Sequence, residues 1–360
     1  MEYSINLVKH PARAKLKWMS DAVPGIWDSF ERFAPKAASA QEYISKQTAN
    51  IAISETLGDR NIARAQTAMT IPQFQNMLTT FHTLATWRIS QGIYRFDPDL
   101  YASVIDSVLG GEIPGDLLLR LPERSVFVET PNLTFAFTNG ARDTIHGVWA
   151  RIESLPGTEE RAVVLQPLLA SEPADPFLHA VRIPISGLID RWDDTALTET
   201  ATVRAISGQT VNAEELRQSQ SRIDAWSRPV LNLLLYLCSE NSEISKDGKS
   251  ARDPISRAIM GGRRHIPPSL PTKWEVGVRM GAALRAARQT AAGTSPDSGG
   301  QKRAHIRRAH WHGVRVGPTK RADGEAIPTN ERRFELRWLP PIFVKVENVD
   351  DLPATVRPVE

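Results

Sequence analysis

The segment His305-Ile306-Arg307-Arg308-Ala309-His310-Trp311-His312-Gly313-Val314-Arg315 concentrates side chains that can do chemistry. Guanidinium and imidazole groups donate to phosphate and can move protons, and an indole offers a stacking plane. If the segment is one strand, period-two alternation puts Arg308, His310 and His312 on one face. His305, Arg307, Trp311 and Arg315 then share the other. A partner strand around Arg333 to Trp338 would line one side with Arg333, Glu335 and Arg337, and turn Phe334, Leu336 and Trp338 to the core.

Four readings follow from that pattern. His310 and His312 could bind one metal ion, but no nearby Asp, Glu or Cys supplies a third ligand and His305 falls on the wrong face. The same pair could cut RNA as general base and general acid, with Arg308 or Arg337 on the phosphate. Without catalysis, Arg307, Arg308, His310, Trp311, His312, Arg315, Arg333 and Arg337 form a nucleic-acid-binding surface. Lastly, Trp311 could belong to the core, with the Arg and His groups bonded to neighbouring backbone. Binding is favoured over catalysis, and no cofactor or metal is expected.

Charge supports a polyanion partner. Lys246 to Lys345 holds 21 Lys and Arg against 8 Asp and Glu, a balance of +13, whereas residues 1–245 carry −7 and the last fifteen −3. A basic distal third on an acidic body fits either nucleic-acid contact or a basic surface docked on that body.

Weaker candidates lie elsewhere. Gly261-Gly262-Arg263-Arg264-His265 has the composition of an anion-binding loop. Asp190, Asp193 and Asp194 beside Trp192 form an acidic loop, and Gly277 and Gly281 have the spacing of close helix packing. No phosphate-binding loop, dinucleotide fingerprint, nucleophile elbow or zinc spacing occurs. The lone Cys238, in Leu-Leu-Leu-Tyr-Leu-Cys, reads as a buried structural thiol in a reducing compartment. The longest apolar run, Val230 to Cys238, is half of what a membrane span needs. With no export signal at Met1-Glu2-Tyr3-Ser4, the chain reads as cytoplasmic.

The positioning elements suggest an α+β fold. A helical N-terminal region (1–110) includes a helix capped at Thr70, with Phe74, Met77, Leu78, Phe81, Leu84 and Ala85 on one face, and a second helix from Asp99 to Leu109. An α+β core (111–245) holds a mostly antiparallel sheet with strands near residues 125–129, 133–137, 145–152, 162–169 and 181–185. A long helix follows to Cys238, opened by an Asn212/Glu215 capping box and kinked or broken at Pro229. Residues 246–300 comprise a basic loop, a short helix from Trp274 to Gln289 and a flexible linker over Ala291 to Gly300. A basic β-hairpin or small sheet (301–360) pairs Ala304–Val316 with Arg332–Val346.

Five segments carry a resemblance. LLRLPERSVFVET (118–130), LNLLLYLCSENSEI (231–244), WEVGVRMGAALR (274–285), HIRRAHWHGVRVGP (305–318) and WLPPIFVKV (338–346) are similar to the motif series of the type V-A anti-CRISPR family and its homologues on plasmids, phages and other mobile elements. The similarity spans most of residues 100–350. It implies an inhibitory binding protein acting near mRNA or a nascent polypeptide to lower production of a target. The implied partners are RNA or a ribosome–nascent chain complex, and a segment of a host or CRISPR effector protein. It carries no catalytic residues over to this chain, so the candidate site residues rest on strand parity alone. A structural partner of a plasmid or phage protein is the remaining alternative.

Overall fold

The computed structural model describes residues 7–33, 53–58, 71–109, 113–137, 139–154, 161–171, 180–189, 213–245, 256–259, 262–292 and 305–344. An eight-stranded mixed sheet organises them. Its strands are β1 (Gly92–Phe96), β2 (Ser125–Glu129), β3 (Thr134–Ala136), β4 (Arg142–Ser154), β5 (Arg161–Leu169), β6 (Val181–Pro184), β7 (Ile244–Ser245) and β10 (Thr272–Val276). They run in the order β6-β5-β4-β2-β1-β10-β7, with β3 on β4. β1 is parallel to both β2 and β10, and the other pairings are antiparallel. A separate ribbon of β8 (Ser256–Ile259) and β9 (Gly262–His265) precedes β10 in the chain.

Two strands of the large sheet correct the expected elements. β1 falls in the region read as helical; Gly-Ile-Tyr-Arg-Phe is a short run buried on both sides, with too little alternation to announce a strand. Trp274 lies in β10, not in the helix that follows. Gly277 at φ +69° breaks the chain between the two, and its absent side chain leaves room for Leu100. The sheet therefore crosses the boundaries expected near residues 110 and 245.

Alternation along the central strands splits the core in two. Tyr94, Val126, Val128, Val148 and Ala150 face one cluster; Ile93, Phe127 and Trp149 face the other. The second face is covered by α1 (Pro11–Ala22), α2 (Ile26–Phe33) and α3 (Ile71–Trp87). His10 caps α1: its Nδ1 accepts from the Ala12 N–H at 3.2 Å, so Nε2 bears the hydrogen and donates to Glu129 at 3.2 Å. Arg95 also grips Glu129. Burial alone would raise the Glu129 carboxyl pKa, but the hydrogen bonds from His10 and Arg95 and the Arg95 charge outweigh it and hold the value at about 2.

On the first face, α4 (Pro98–Ile105) packs with α5 (Ala213–Cys238). The long helix runs without a break through Pro229. Val230 to Cys238 is buried on all sides, as an all-round apolar helix must be. Burial pushes the Cys238 thiol pKa well up, which leaves it protonated. α6 (Val278–Ala292) lies against α4, with Gly281 close to Asp97 and Gly277 close to Leu100, in the close packing that the glycine spacing suggested. Thr70, Asn212 and the acidic loop from Asp190 fall outside the described residues, as does the linker beyond Ala292.

Candidate polyanion-contact face

The C-terminal hairpin forms as expected, but with a break in its first arm. β12 (His310–Val316) pairs antiparallel with β13 (Arg333–Leu339), matching Trp311 to Trp338 and His312 to Arg337. β11 (His305–Arg307) pairs instead with β14 (Ile342–Val344). The segment is thus two short strands interrupted at Arg308-Ala309, not one continuous strand.

Both tryptophans point into the protein. Trp338 is fully buried and Trp311 is 8% exposed. The Trp311 Nε1–H donates to Asn232 Oδ1 at 2.8 Å, and the Trp338 Nε1–H to Ser107 Oγ at 2.8 Å. Asn232 Nδ2 in turn donates to the Ser107 carbonyl at 2.8 Å. Buried indoles need such partners, because an unpaired N–H costs free energy in a dry interior. Trp311 is therefore part of the core and presents no stacking plane, which corrects its place in the binding surface.

The turn after α5 clamps the hairpin. Asn241 accepts from the Trp338 N–H at 3.1 Å and donates Nδ2 to the Trp338 carbonyl at 2.8 Å. The Glu240 N–H donates to the Leu336 carbonyl at 2.9 Å, and Arg120 joins the Glu240 carboxylate at 2.9 Å to the Phe334 carbonyl at 2.8 Å. These positioning residues are absent from the set expected from sequence. The only signal for them is the polar Ser-Glu-Asn-Ser-Glu run that ends an apolar helix.

The outer face carries the rest. Arg307, Arg308, His310 and His312 are exposed, and none has an acidic partner among the described residues. His310 Nδ1 lies 3.3 Å from the Arg308 carbonyl. Arg333 and Arg337 are also exposed, but both pair with Glu335, at 3.1 and 3.3 Å, and Arg333 reaches Glu240 as well. Arg315 sits on the inner side, its guanidinium 4.9 Å from the Phe334 ring centre and donating to the Arg332 carbonyl at 3.0 Å. That packing makes Arg315 a structural cation and removes it from the open face.

Three arginines of the basic third pair with acids from other elements. Arg285 pairs with Asp97 at 2.9 Å and Asp99 at 2.6 Å, Arg288 with Asp99, and Arg279 with Glu243 at 2.8 Å. These pairs join part of the basic third to acids of the body, while Arg307, Arg308, His310 and His312 lie exposed on the hairpin. The two imidazoles, His310 and His312, lie on an exposed strand face. Among the described residues no cluster of three metal-ligating side chains occurs.

No helix among the described residues is long and apolar enough to cross a membrane. Residues 94–346 match the model of the AcrVA2-like family, described as the anti-CRISPR type V subtype A2 family. The chain is 26% identical over 282 residues to protein FinQ of Escherichia coli, covering 76% of this chain and 78% of that protein. Its fold is similar to the crystal structure of AcrVA2, with a TM-score of 0.62, 19% identity, and coverage of 93% of this chain and 99% of the other.

Proposed function

Since the chain belongs to the AcrVA2-like anti-CRISPR family, we propose that it is an inhibitory protein of a mobile genetic element that lowers production of a target protein by acting near mRNA or a nascent polypeptide. In this reading the partners are RNA in a ribosome–nascent chain complex and a segment of a CRISPR effector or host protein. The observation that carries it is the outward group Arg307, Arg308, His310 and His312, which has no acidic partner among the described residues. Guanidinium and imidazole donors suit phosphate oxygens, and the buried Trp311–Trp338 pair fixes the strand that carries His310 and His312. The role is binding, with the chemistry left to the partner. Replacing Arg307 and Arg308 with Ala should weaken binding to single-stranded RNA in filter assays. The slope of log affinity against log salt should flatten by about 1.4, about 0.7 for each phosphate no longer neutralised. Unchanged affinity across the salt range would remove the RNA contact from this reading.

A further inference from the structure

The cationic face of the hairpin has a counterpart of opposite charge in the same chain. Residues 346–360 hold four acids, Glu347, Asp350, Asp351 and Glu360, against one cation, Arg357, a balance of −3. Three of the four follow within seven residues of Val344, the last residue of β14. β14 pairs antiparallel with β11, and Val344 stands opposite His305. The acidic stretch therefore begins beside the strand that leads into Arg307 and Arg308.

Reach and chemistry both favour a return onto that face. At about 3.3–3.6 Å per residue, Asp350 and Asp351 have about 20–25 Å of chain from Val344. Arg307 and Arg308 lie only about 7–10 Å along the strand direction from His305, at about 3.3 Å per residue. That leaves length for a reversal of direction. Carboxylates accept from guanidinium and imidazole donors as phosphate oxygens do. Among the described residues no acid pairs with Arg307, Arg308, His310 or His312, whereas Arg333 and Arg337 on the neighbouring strand already share Glu335. Tethering makes the encounter intramolecular, at an effective concentration on the order of millimolar.

We propose that the acidic stretch at residues 347–351 docks on the face formed by Arg307, Arg308, His310 and His312 and competes there with a polyanion. The inference rests on the RNA reading above and adds a built-in competitor to it. Exposed ion pairs are individually weak and are screened by salt. The contact thus raises the threshold for binding without closing the face, and an RNA that offers several phosphates displaces it.

The test uses the full chain and a labelled single-stranded RNA in fluorescence anisotropy. The Glu347→Gln/Asp350→Asn/Asp351→Asn variant should bind about three- to tenfold more tightly than the wild type at low salt, as a few weak exposed pairs allow. The gain should shrink as salt rises towards about 0.3 M, because screening dissolves the competing pairs. In an Arg307→Ala/Arg308→Ala background the same three substitutions should gain little, since the stretch has lost its seat. A second readout needs no RNA. The ring signals of His310 and His312 in NMR spectra, identified with His310→Gln and His312→Gln, should move when the three acids are neutralised, while those of His146, exposed on β4, should stay.

An equal gain in the Arg307→Ala/Arg308→Ala background would mean a general effect of net charge, and the inference falls while the RNA reading stands. Unchanged affinity with unmoved His310 and His312 signals also overturns it. A gain that depends on protein concentration would place the stretch on a second copy and overturn the intramolecular assignment. If neither protein binds RNA but the two signals move, the RNA reading falls and the docking is upheld.

Discussion

Trp311→Phe separates the two places that Trp311 could occupy. In the structure its Nε1–H is the donor to Asn232 Oδ1 at 2.8 Å, and Asn232 is itself 2% exposed. Phenylalanine keeps an aromatic ring but removes that donor, which leaves a buried carbonyl oxygen without it, at a cost of about 1–3 kcal/mol. The smaller ring leaves a void worth about 1 kcal/mol more. The expected loss is thus about 2–4 kcal/mol, read as a lower urea midpoint by far-ultraviolet circular dichroism, which does not depend on the deleted indole. His312→Ala, one position along and on the exposed face, should change stability by less than about 0.5 kcal/mol. An unchanged midpoint in Trp311→Phe together with weakened RNA binding would refute the core assignment and return Trp311 to the contact face.

Two further outcomes probe the frame that carries the site. The Glu129 carboxyl is held at about 2, below its ordinary 4.5, so the folded protein takes up this proton less readily than the unfolded chain. Its contribution is complete above about pH 5 and is lost as pH falls towards 2, on the order of 3 kcal/mol in all. Glu129→Gln should therefore lower stability at neutral pH and flatten its decline in acid, and equal slopes for both proteins in urea titrations from neutral to acid pH would contradict that linkage. Gly277→Ala drives a methyl onto Leu100 Cδ2 at φ +69°, and should cost about 2–4 kcal/mol by thermal melting. A wild-type melting temperature would show that the β10–α6 junction adapts.

Local patterns made several elements legible. Alternation and a turn-rich connection marked β12 and β13 as partners, and an all-apolar run marked the buried end of α5. The inward side of the pair was half visible: Leu336 and Trp338 follow the parity of their strand. β1 was not legible, because a short strand buried on both faces has no alternation to display and is recognised only by the neighbours that hydrogen-bond to it.

Sequence by itself determined the inventory: the family motifs, the +13 basic third, and the alternation that separates His310 and His312 from Trp311. Only the tertiary structure decided how that charge is used. Asp97, Asp99, Glu240 and Glu243 lie far along the chain from the arginines they meet, and local pattern carries no information about such pairs. The same holds for Asn232, whose side chain turns Trp311 from a candidate stacking plane into a core residue. Parity says that two side chains lie on opposite faces of a strand. Which face is solvent depends on what packs there, and here α4, α5 and the Glu240-Asn241 turn occupy the tryptophan side.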